Sequence, residues 1–326
     1  MHTFKSKAFL ATSALAVSLL AGCVSTDEIK TPASTTVDLS GPFSVPAEEI
    51  LLSTASERLT AQDQAIIVKL SMMLDTQAKT KGDRAEIFYE LGIVYDRLGL
   101  EATARTMFMN ALVENPAFAA PYNFVGIYFA KDGRFQDALD AFDSALELNP
   151  KESYIYFNRA LVLHYAHRDI VALKDLKKFY ASDPNDPYRL LWMYIVEYGA
   201  LGADEAYDNL EQRYDKVKEL DKKDNWGFNL VRLYLGKLDE AVFWSQTKAY
   251  RQDPETFVDH LCEAYFYLGK LHLLQGEDKL AYDNFYLSAA TRRYGFLEYR
   301  YALNEIAALE KRYKIRATSS ITEPNF

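Results

Sequence analysis

The sequence predicts an all-α fold in which helical hairpins stack into a superhelix. The first observation is a self-similarity at an offset of 34 residues, since Ala85–Phe118 aligns with Ala119–Glu152 without a gap. The second is that the shared positions hold small residues, phenylalanine and proline in the same order, as paired helices require. The third is that no segment shows the alternating apolar pattern of a strand.

The matched positions explain how each hairpin is built. Small residues allow two helices to cross closely, phenylalanine fills the space between hairpins, and proline ends the second helix because it cannot continue it. The pairs are Gly92 and Gly126, Gly99 and Gly133, Ala104 and Ala138, Phe108 and Phe142, Ala111 and Ala145, and Pro116 and Pro150. A more degenerate third copy begins at Ser153 and ends around Pro184.

This pattern resembles the tetratricopeptide repeat, a helix–turn–helix unit. The resemblance assigns three repeats to 85–184, as copies at 85–118, 119–152 and 153–186, and a further repeat to 262–295. Gly269, Gly276, Ala281 and Phe285 hold the signature positions of this last copy. The remaining segments are predicted to be an N-terminal helical segment at 47–84, atypical helical hairpins at 187–261, a C-terminal capping helix at 296–312 and a tail at 313–326.

The first 22 residues have the order of a bacterial signal peptide, with a short basic start and an apolar run. The run ends in Leu20-Ala21-Gly22-Cys23, which resembles a lipobox. The resemblance implies cleavage before Cys23 and acyl chains, palmitate among them, on that cysteine. Residues 23–46, rich in Ser, Thr and Pro, are predicted to form a lipid-anchored flexible tether. Val24 follows the cysteine, and by family analogy this favours the outer membrane, with the body facing the periplasm.

Composition narrows the classes of function. The 326 residues include 37 Lys and Arg against 46 Asp and Glu, a net charge of −9, which disfavours nucleic-acid binding.

No nucleophile, phosphate-loop or dinucleotide motif is present, so we expect no enzyme activity, no catalytic residue and no cofactor. The spacing of His164 and His167 permits a metal pair, but no third ligand is evident and no metal site is expected. With Cys23 acylated, Cys262 has no partner, and we expect a buried thiol.

Because no catalytic or metal site is expected, the function is predicted to depend on binding at the protein surface. In stacked hairpins the first helices line the concave side, where exposed aromatic residues with a few charges suit capture of a peptide or helix. The alternative is that several of these tyrosine and phenylalanine side chains pack inside the superhelix and are not available to a partner. The candidate partner-binding residues from the first three copies are Tyr89, Ile93, Arg97, Asn123, Ile127, Lys131, Phe157 and Leu161.

Several segments resemble the NlpI-type outer-membrane lipoproteins of gammaproteobacteria. They include Asp183-Pro184-Asn185-Asp186-Pro187, Leu191-Trp192 and Tyr267-Leu268-Gly269-Lys270. The resemblance implies a homodimeric, non-enzymatic adaptor that binds a periplasmic tail-specific PDZ protease and peptidoglycan (murein) hydrolases and regulates cell-wall hydrolysis during growth and division. The alternatives are an accessory lipoprotein of the outer-membrane protein assembly machinery and an envelope enzyme whose site the sequence does not reveal.

Overall fold

Fourteen α-helices and one short 3₁₀ helix build the fold in the described part of the chain, and no residue there lies in a strand. The computed structural model describes residues 37–46, 49–52, 60–221 and 226–313. The signal peptide, Cys23 and the tail beyond residue 313 lie outside these residues. The helices are α1 (Ala61–Thr76), α2 (Lys81–Arg97), α3 (Glu101–Glu114), α4 (Ala119–Lys131), α5 (Phe135–Leu148), α6 (Ser153–Tyr165), α7 (Asp169–Ser182), α8 (Pro187–Leu201), α9 (Ala203–Asp221), α10 (Trp226–Tyr234), α11 (Glu240–Lys248), α12 (Pro254–Leu274), α13 (Asp278–Ala290) and α14 (Leu297–Arg312), with the 3₁₀ helix at Ala249–Gln252.

The repeated hairpins are α2–α3, α4–α5, α6–α7 and α12–α13, and they confirm the predicted tetratricopeptide-type superhelix. Gly126 shows why a small residue is needed, because a Cβ atom there would lie 2.6 Å from the ring of Phe142. Gly99 and Gly133 take left-handed backbone angles in the turns, with φ of 72° and 71°. His167 takes the corresponding place in the third copy, with φ of 57°.

Two helices begin earlier than predicted. Helix α2 starts at Lys81 rather than near Ala85, because Thr80 and Asp83 form a capping box ahead of it. Helix α12 starts at Pro254 rather than at Cys262. There Asp253 accepts a hydrogen bond from the backbone N–H of Thr256, and proline suits the first helical position, where its missing N–H is not needed.

The first residues of the described chain correct two predictions: residues 37–46 belong to the predicted flexible tether but are packed, and residues 49–52 belong to the predicted helical segment at 47–84 but are not helical. Residues 37–46 and 49–52, here called the strap, pack against α12 and α13. Leu39, Val45 and Leu51 are 2%, 5% and 4% exposed and belong to the main core. The N–H of Ser44 donates to Asp283 at 2.6 Å, and the hydroxyl of Tyr265 donates to the carbonyl of Glu49 at 2.7 Å. The strap is fixed because Leu39, Val45 and Leu51 are buried, whereas Phe43 and Leu52 stay exposed.

Helix α14 covers the end of the superhelix and also crosses its concave side. Tyr301 stacks on Tyr165 of α6 at 4.9 Å between ring centroids. Glu305 accepts hydrogen bonds from Lys270 of α12 at 2.6 Å and from Tyr165 at 2.8 Å. These contacts hold α14 between the third hairpin and the last one. Among the described helices, none is both long and apolar enough to span a bilayer.

Candidate partner-binding cavity

A cavity of about 1570 Å³ lies on the concave side of the superhelix. Most of its wall comes from the first helices of the early repeats, the start of α8, and the segment that runs from the end of α13 into α14, and α1, α7 and α12 add a few residues. Pockets for single small molecules are usually about 300–1,000 Å³. The volume of this cavity therefore suits a segment of polypeptide better than a metabolite.

Five of the eight candidate residues line this cavity. Ile93 and Arg97 lie on α2, Ile127 and Lys131 on α4, and Phe157 on α6. Because the first helix of each hairpin faces the concave side, the 34-residue spacing brings these side chains together. Arg97 is the most exposed charged group of the set, with 55% of its side chain accessible.

The other three candidates lie outside the cavity lining. Tyr89 packs between the first two hairpins, with its ring 5.1 Å from that of Phe118. Asn123 accepts a hydrogen bond from Asn158 at 2.9 Å, and it is Asn158 that reaches the cavity. Leu161 is fully buried in the core, so this candidate is corrected to a packing residue: the concave face of the third hairpin is covered there.

The sequence did not predict the parts of the wall that come from α8 and from the C-terminal segment. Tyr188 and Trp192 of α8 line the cavity, as do Tyr294, Glu298, Arg300 and Tyr301 at the C-terminal end. Helix α8 follows no repeat signature, which hid its inward face. The pairing of α14 with repeats far away in sequence leaves no local signal, although the apolar spacing around Tyr301 does indicate a helix with a buried side.

A cation–π contact and stacked aromatic rings shape the floor of the cavity. The guanidinium of Arg189 lies 3.9 Å from the ring centroid of Phe179, a cation–π contact, and it donates to the carbonyl of the same residue. Phe157 stacks on Phe179 at 4.3 Å. Tyr154 stands at the rim with 53% of its surface exposed. The cavity thus offers an exposed tyrosine above a rigid aromatic layer.

The C-terminal segment closes one side of the cavity against the first repeat. The carboxylate of Asp96 on α2 accepts a hydrogen bond from Tyr128 at 2.6 Å and forms an ion pair with Arg300 of α14. Burial and the neighbouring Asp96 charge raise the pKa of Tyr128, so its hydroxyl stays protonated and donates. The ring of Tyr294 lies over Gly99, where a Cβ atom would come within 2.7 Å of it.

The cysteine and the two histidines that the sequence analysis considered, Cys262, His164 and His167, are engaged in packing, hydrogen bonding and a turn. Burial raises the pKa of the Cys262 thiol to about 12, so the predicted buried thiol is confirmed and is a poor nucleophile. The Nδ1 atom of His164 lies 2.5 Å from Asp169, and His167 is part of a turn. Within the described residues no three metal-binding side chains come together.

Comparison with known proteins finds only distant structural likenesses. No family model matches the sequence. Among solved structures, MamA covers 49% of this chain and 91% of its own at 20% identity, with a TM-score of 0.42. PilF of Pseudomonas aeruginosa covers 66% of this chain and 90% of its own at 19% identity, with a TM-score of 0.44. MamA from Desulfovibrio magneticus RS-1 covers 51% and 98% at 16% identity, with a TM-score of 0.39. These likenesses are too distant to bear on function, and the fold assignment rests on the hairpins themselves.

Proposed function

We propose that this protein is a non-enzymatic scaffold that binds an extended segment of a partner protein in its concave cavity. The observation that supports the proposal most directly is the size and lining of the cavity, which joins aromatic side chains from α6 and α8 with charged side chains from α2, α4 and α14. Aromatic and arginine side chains dominate the energetics of protein interfaces. Rigid helices present them without loop ordering, which limits the entropic cost of binding.

The finer proposal is an NlpI-type lipoprotein, acylated on Cys23 and held at the outer membrane with its body in the periplasm. Its partners would be a tail-specific PDZ protease and peptidoglycan hydrolases, and its role would be control of cell-wall hydrolysis in growth and division. The sequence resemblance supports this assignment. Its physical basis is effective concentration: a scaffold that holds protease and substrate together converts a bimolecular encounter into a local one.

The binding proposal is tested with the purified full chain and a purified tail-specific protease. Tyr154→Ala removes an exposed aromatic side chain of the cavity. We expect the dissociation constant of the complex with the protease to rise at least tenfold, which corresponds to a loss of about 1.4 kcal/mol or more in binding free energy. Ile170→Ala on α7 is the matched control, since Ile170 is 70% exposed and does not line the cavity. Equal affinity for both variants and the wild type would refute the cavity as the binding site. Binding to the outer-membrane assembly machinery instead of the protease would favour the alternative role.

A homodimer is also proposed, through α1. This helix buries only Asp63, yet it carries Val68 and Met72 at 57% and 62% exposure. A helix of 16 residues with exposed apolar side chains fits a self-complementary contact between two copies. Met72→Asp should shift the full chain towards the monomer in analytical ultracentrifugation, whereas Val113→Asp on α3 should not. Identical sedimentation of Met72→Asp and the wild type as dimers would contradict this interface.

A further inference from the structure

One charged side chain on the floor of the cavity is almost completely buried. Arg189, in the first turn of α8, is 6% exposed and yet belongs to the cavity lining. A buried charge is costly unless it is paired and fully hydrogen-bonded. The partners of this guanidinium therefore decide how much of its charge the protein compensates by itself.

One side of the guanidinium is engaged by the end of α7. Its Nη1 atom donates to the carbonyl of Phe179 and to the hydroxyl of Ser182. The ring centroid of Phe179 lies 3.9 Å from the guanidinium carbon. A cation at this place is also favoured by the partial negative charge at the C-terminal end of a helix. These contacts hold the side chain of Arg189 in position.

The other side of the guanidinium is compensated less well. The two bonds of Nη1 are the only hydrogen bonds that it donates to the described residues, and its Nε atom is buried without a hydrogen-bond partner there. Asp186 is the only described carboxylate within ion-pair distance, at 3.5 Å from Nε. The carboxylate of Asp186 also caps α8, since it accepts from the backbone N–H of Tyr188 at 2.8 Å.

An exposed aromatic ring stands beside this charge. The ring centroid of Tyr154, a side chain of the cavity lining, lies 5.7 Å from the guanidinium carbon of Arg189 and 5.3 Å from the ring of Phe179. Phe157 stacks on Phe179 at 4.3 Å and completes a rigid layer. An apolar side chain of a ligand can pack on Tyr154 while an acidic group next to it reaches Arg189.

The other cations of the cavity lining are paired or exposed. Four of them donate a hydrogen bond directly to a carboxylate of this chain: Arg97, Lys131, Arg293 and Arg300. Arg292 forms no ion pair with the described residues, but it is exposed, and water and salt screen an exposed charge. Among the described cations of the lining, Arg189 therefore combines burial with incomplete pairing.

We propose that Arg189 binds a carboxylate group of the segment that occupies the cavity, next to an apolar side chain that packs on Tyr154. The planar fork of N–H groups in a guanidinium matches the two oxygens of a carboxylate. The end of a chain and the side chain of an aspartate or glutamate both supply this group. The inference rests on the proposed function, because it takes a polypeptide segment as the occupant of the cavity.

The experiment measures the binding of three short peptides to the purified full chain by fluorescence anisotropy. Each carries an N-terminal fluorophore. The first is Gly-Ser-Gly-Ser-Phe with a free C-terminal carboxylate, the second is the same peptide with a C-terminal amide, and the third is Gly-Ser-Gly-Asp-Phe with a C-terminal amide. The second should have a dissociation constant about tenfold or more above that of a carboxylate peptide, the effect of one hydrogen bond to a charged group. Tight binding of the first alone assigns a chain end, and of the third alone an acidic side chain.

Two substitutions at the site have opposite expected effects. Arg189→Gln should abolish the preference for a carboxylate. Asp186→Asn should strengthen it by about twofold to fivefold, because it removes the competing carboxylate while asparagine still caps the helix. Asp183→Asn is the control: it removes the same charge at an exposed position outside the cavity lining, where asparagine can still accept from the N–H of Asn185.

A gain in affinity cannot come from a folding defect, so Asp186→Asn keeps the test decisive even where Arg189→Gln lowers stability. Equal affinity for all three peptides, binding of none of them, or an unchanged preference in either variant would overturn the proposal. The titration with the tail-specific protease decides the proposed function separately. Protease binding that depends on Tyr154, without any carboxylate preference, would keep that function and reject the Arg189 site. A carboxylate preference without protease binding would do the reverse.

Discussion

At the scale of single residues, one contact recurs in three hairpins. Ideal Cβ atoms built on Gly92, Gly126 and Gly269 would each lie 2.6 Å from a phenylalanine ring on the second helix of the same hairpin. Those rings, on Phe108, Phe142 and Phe285, are fully buried. The glycine therefore sets the distance between the two helices, and the ring occupies the space that a side chain would otherwise need.

Replacing one of these glycines should destabilise the protein by overpacking. We expect Gly126→Ala to lower the free energy of unfolding by about 1–3 kcal/mol, measured by urea denaturation. Gly82→Ala is the control, since its Cβ atom would meet only Thr80 at 3.6 Å, and alanine in a helix should be neutral or stabilise by up to about 1 kcal/mol. Equal stability of Gly126→Ala and the wild type would contradict the close crossing of α4 and α5.

A second residue-scale prediction concerns the buried ion pair of Lys270 and Glu305, whose side chains are 4% and 7% exposed. Lys270→Met leaves a buried carboxylate without its cation, which should cost about 3–5 kcal/mol. Lys218→Met removes a pair exposed by 52% and 55% and should cost less than about 1 kcal/mol. Both values come from chemical denaturation at neutral pH, and similar losses in the two variants would show that the Lys270 pair is not buried as described.

The same pair has a defined pH dependence. Burial alone would raise the pKa of Glu305, but the Lys270 charge and the hydrogen bonds from Lys270 and Tyr165 lower it below 4.5. This depressed pKa stabilises the fold above pH 4.5, and the contribution is lost as the pH falls through the folded value. Denaturation of Lys270→Met as a function of pH should lack this acidic loss, and an unchanged acid limb would count against the assignment.

At the scale of elements, the strap joins the start of the described chain to the last hairpin. Its buried residues Leu39, Val45 and Leu51 recur every six positions, too sparsely to predict a helix or a strand. This explains why the sequence indicated a flexible tether up to residue 46 and gave no sign that Leu39 and Val45 are packed. Each of the three is buried because a segment of turns and irregular backbone can direct separate side chains into the surface of α12 and α13.

The strap should contribute to stability as core residues do. We expect Leu39→Ala to lower the free energy of unfolding by about 2–5 kcal/mol, whereas Leu52→Ala, 71% exposed, should leave it within about 0.5 kcal/mol. Both substitutions remove the same atoms, so the difference measures burial alone. If Leu39→Ala behaved like Leu52→Ala, the strap would have to be detached in solution.

At the scale of the whole molecule, periodic features were predictable and distant contacts were not. Gly126, Phe142 and Pro150 repeat residues 34 positions earlier, so the hairpins and their concave faces follow from sequence. The pairing of Arg300 with Asp96 has no such signal, because it depends on how far the superhelix turns before α14 returns to the first repeat. The sequence therefore predicted the part of the cavity wall that α2, α4 and α6 form, and did not predict the part that α8 and α14 form.

Site-specific photocrosslinking can show whether a partner segment lies inside the cavity. A photoreactive side chain is placed at Tyr154 on the cavity rim or, as a control, at Ile170 on α7, in the full chain bound to the purified tail-specific protease. We expect crosslinks to the protease from position 154 and none from position 170. A stable complex that crosslinks from position 170 and not from position 154 would contradict this expectation.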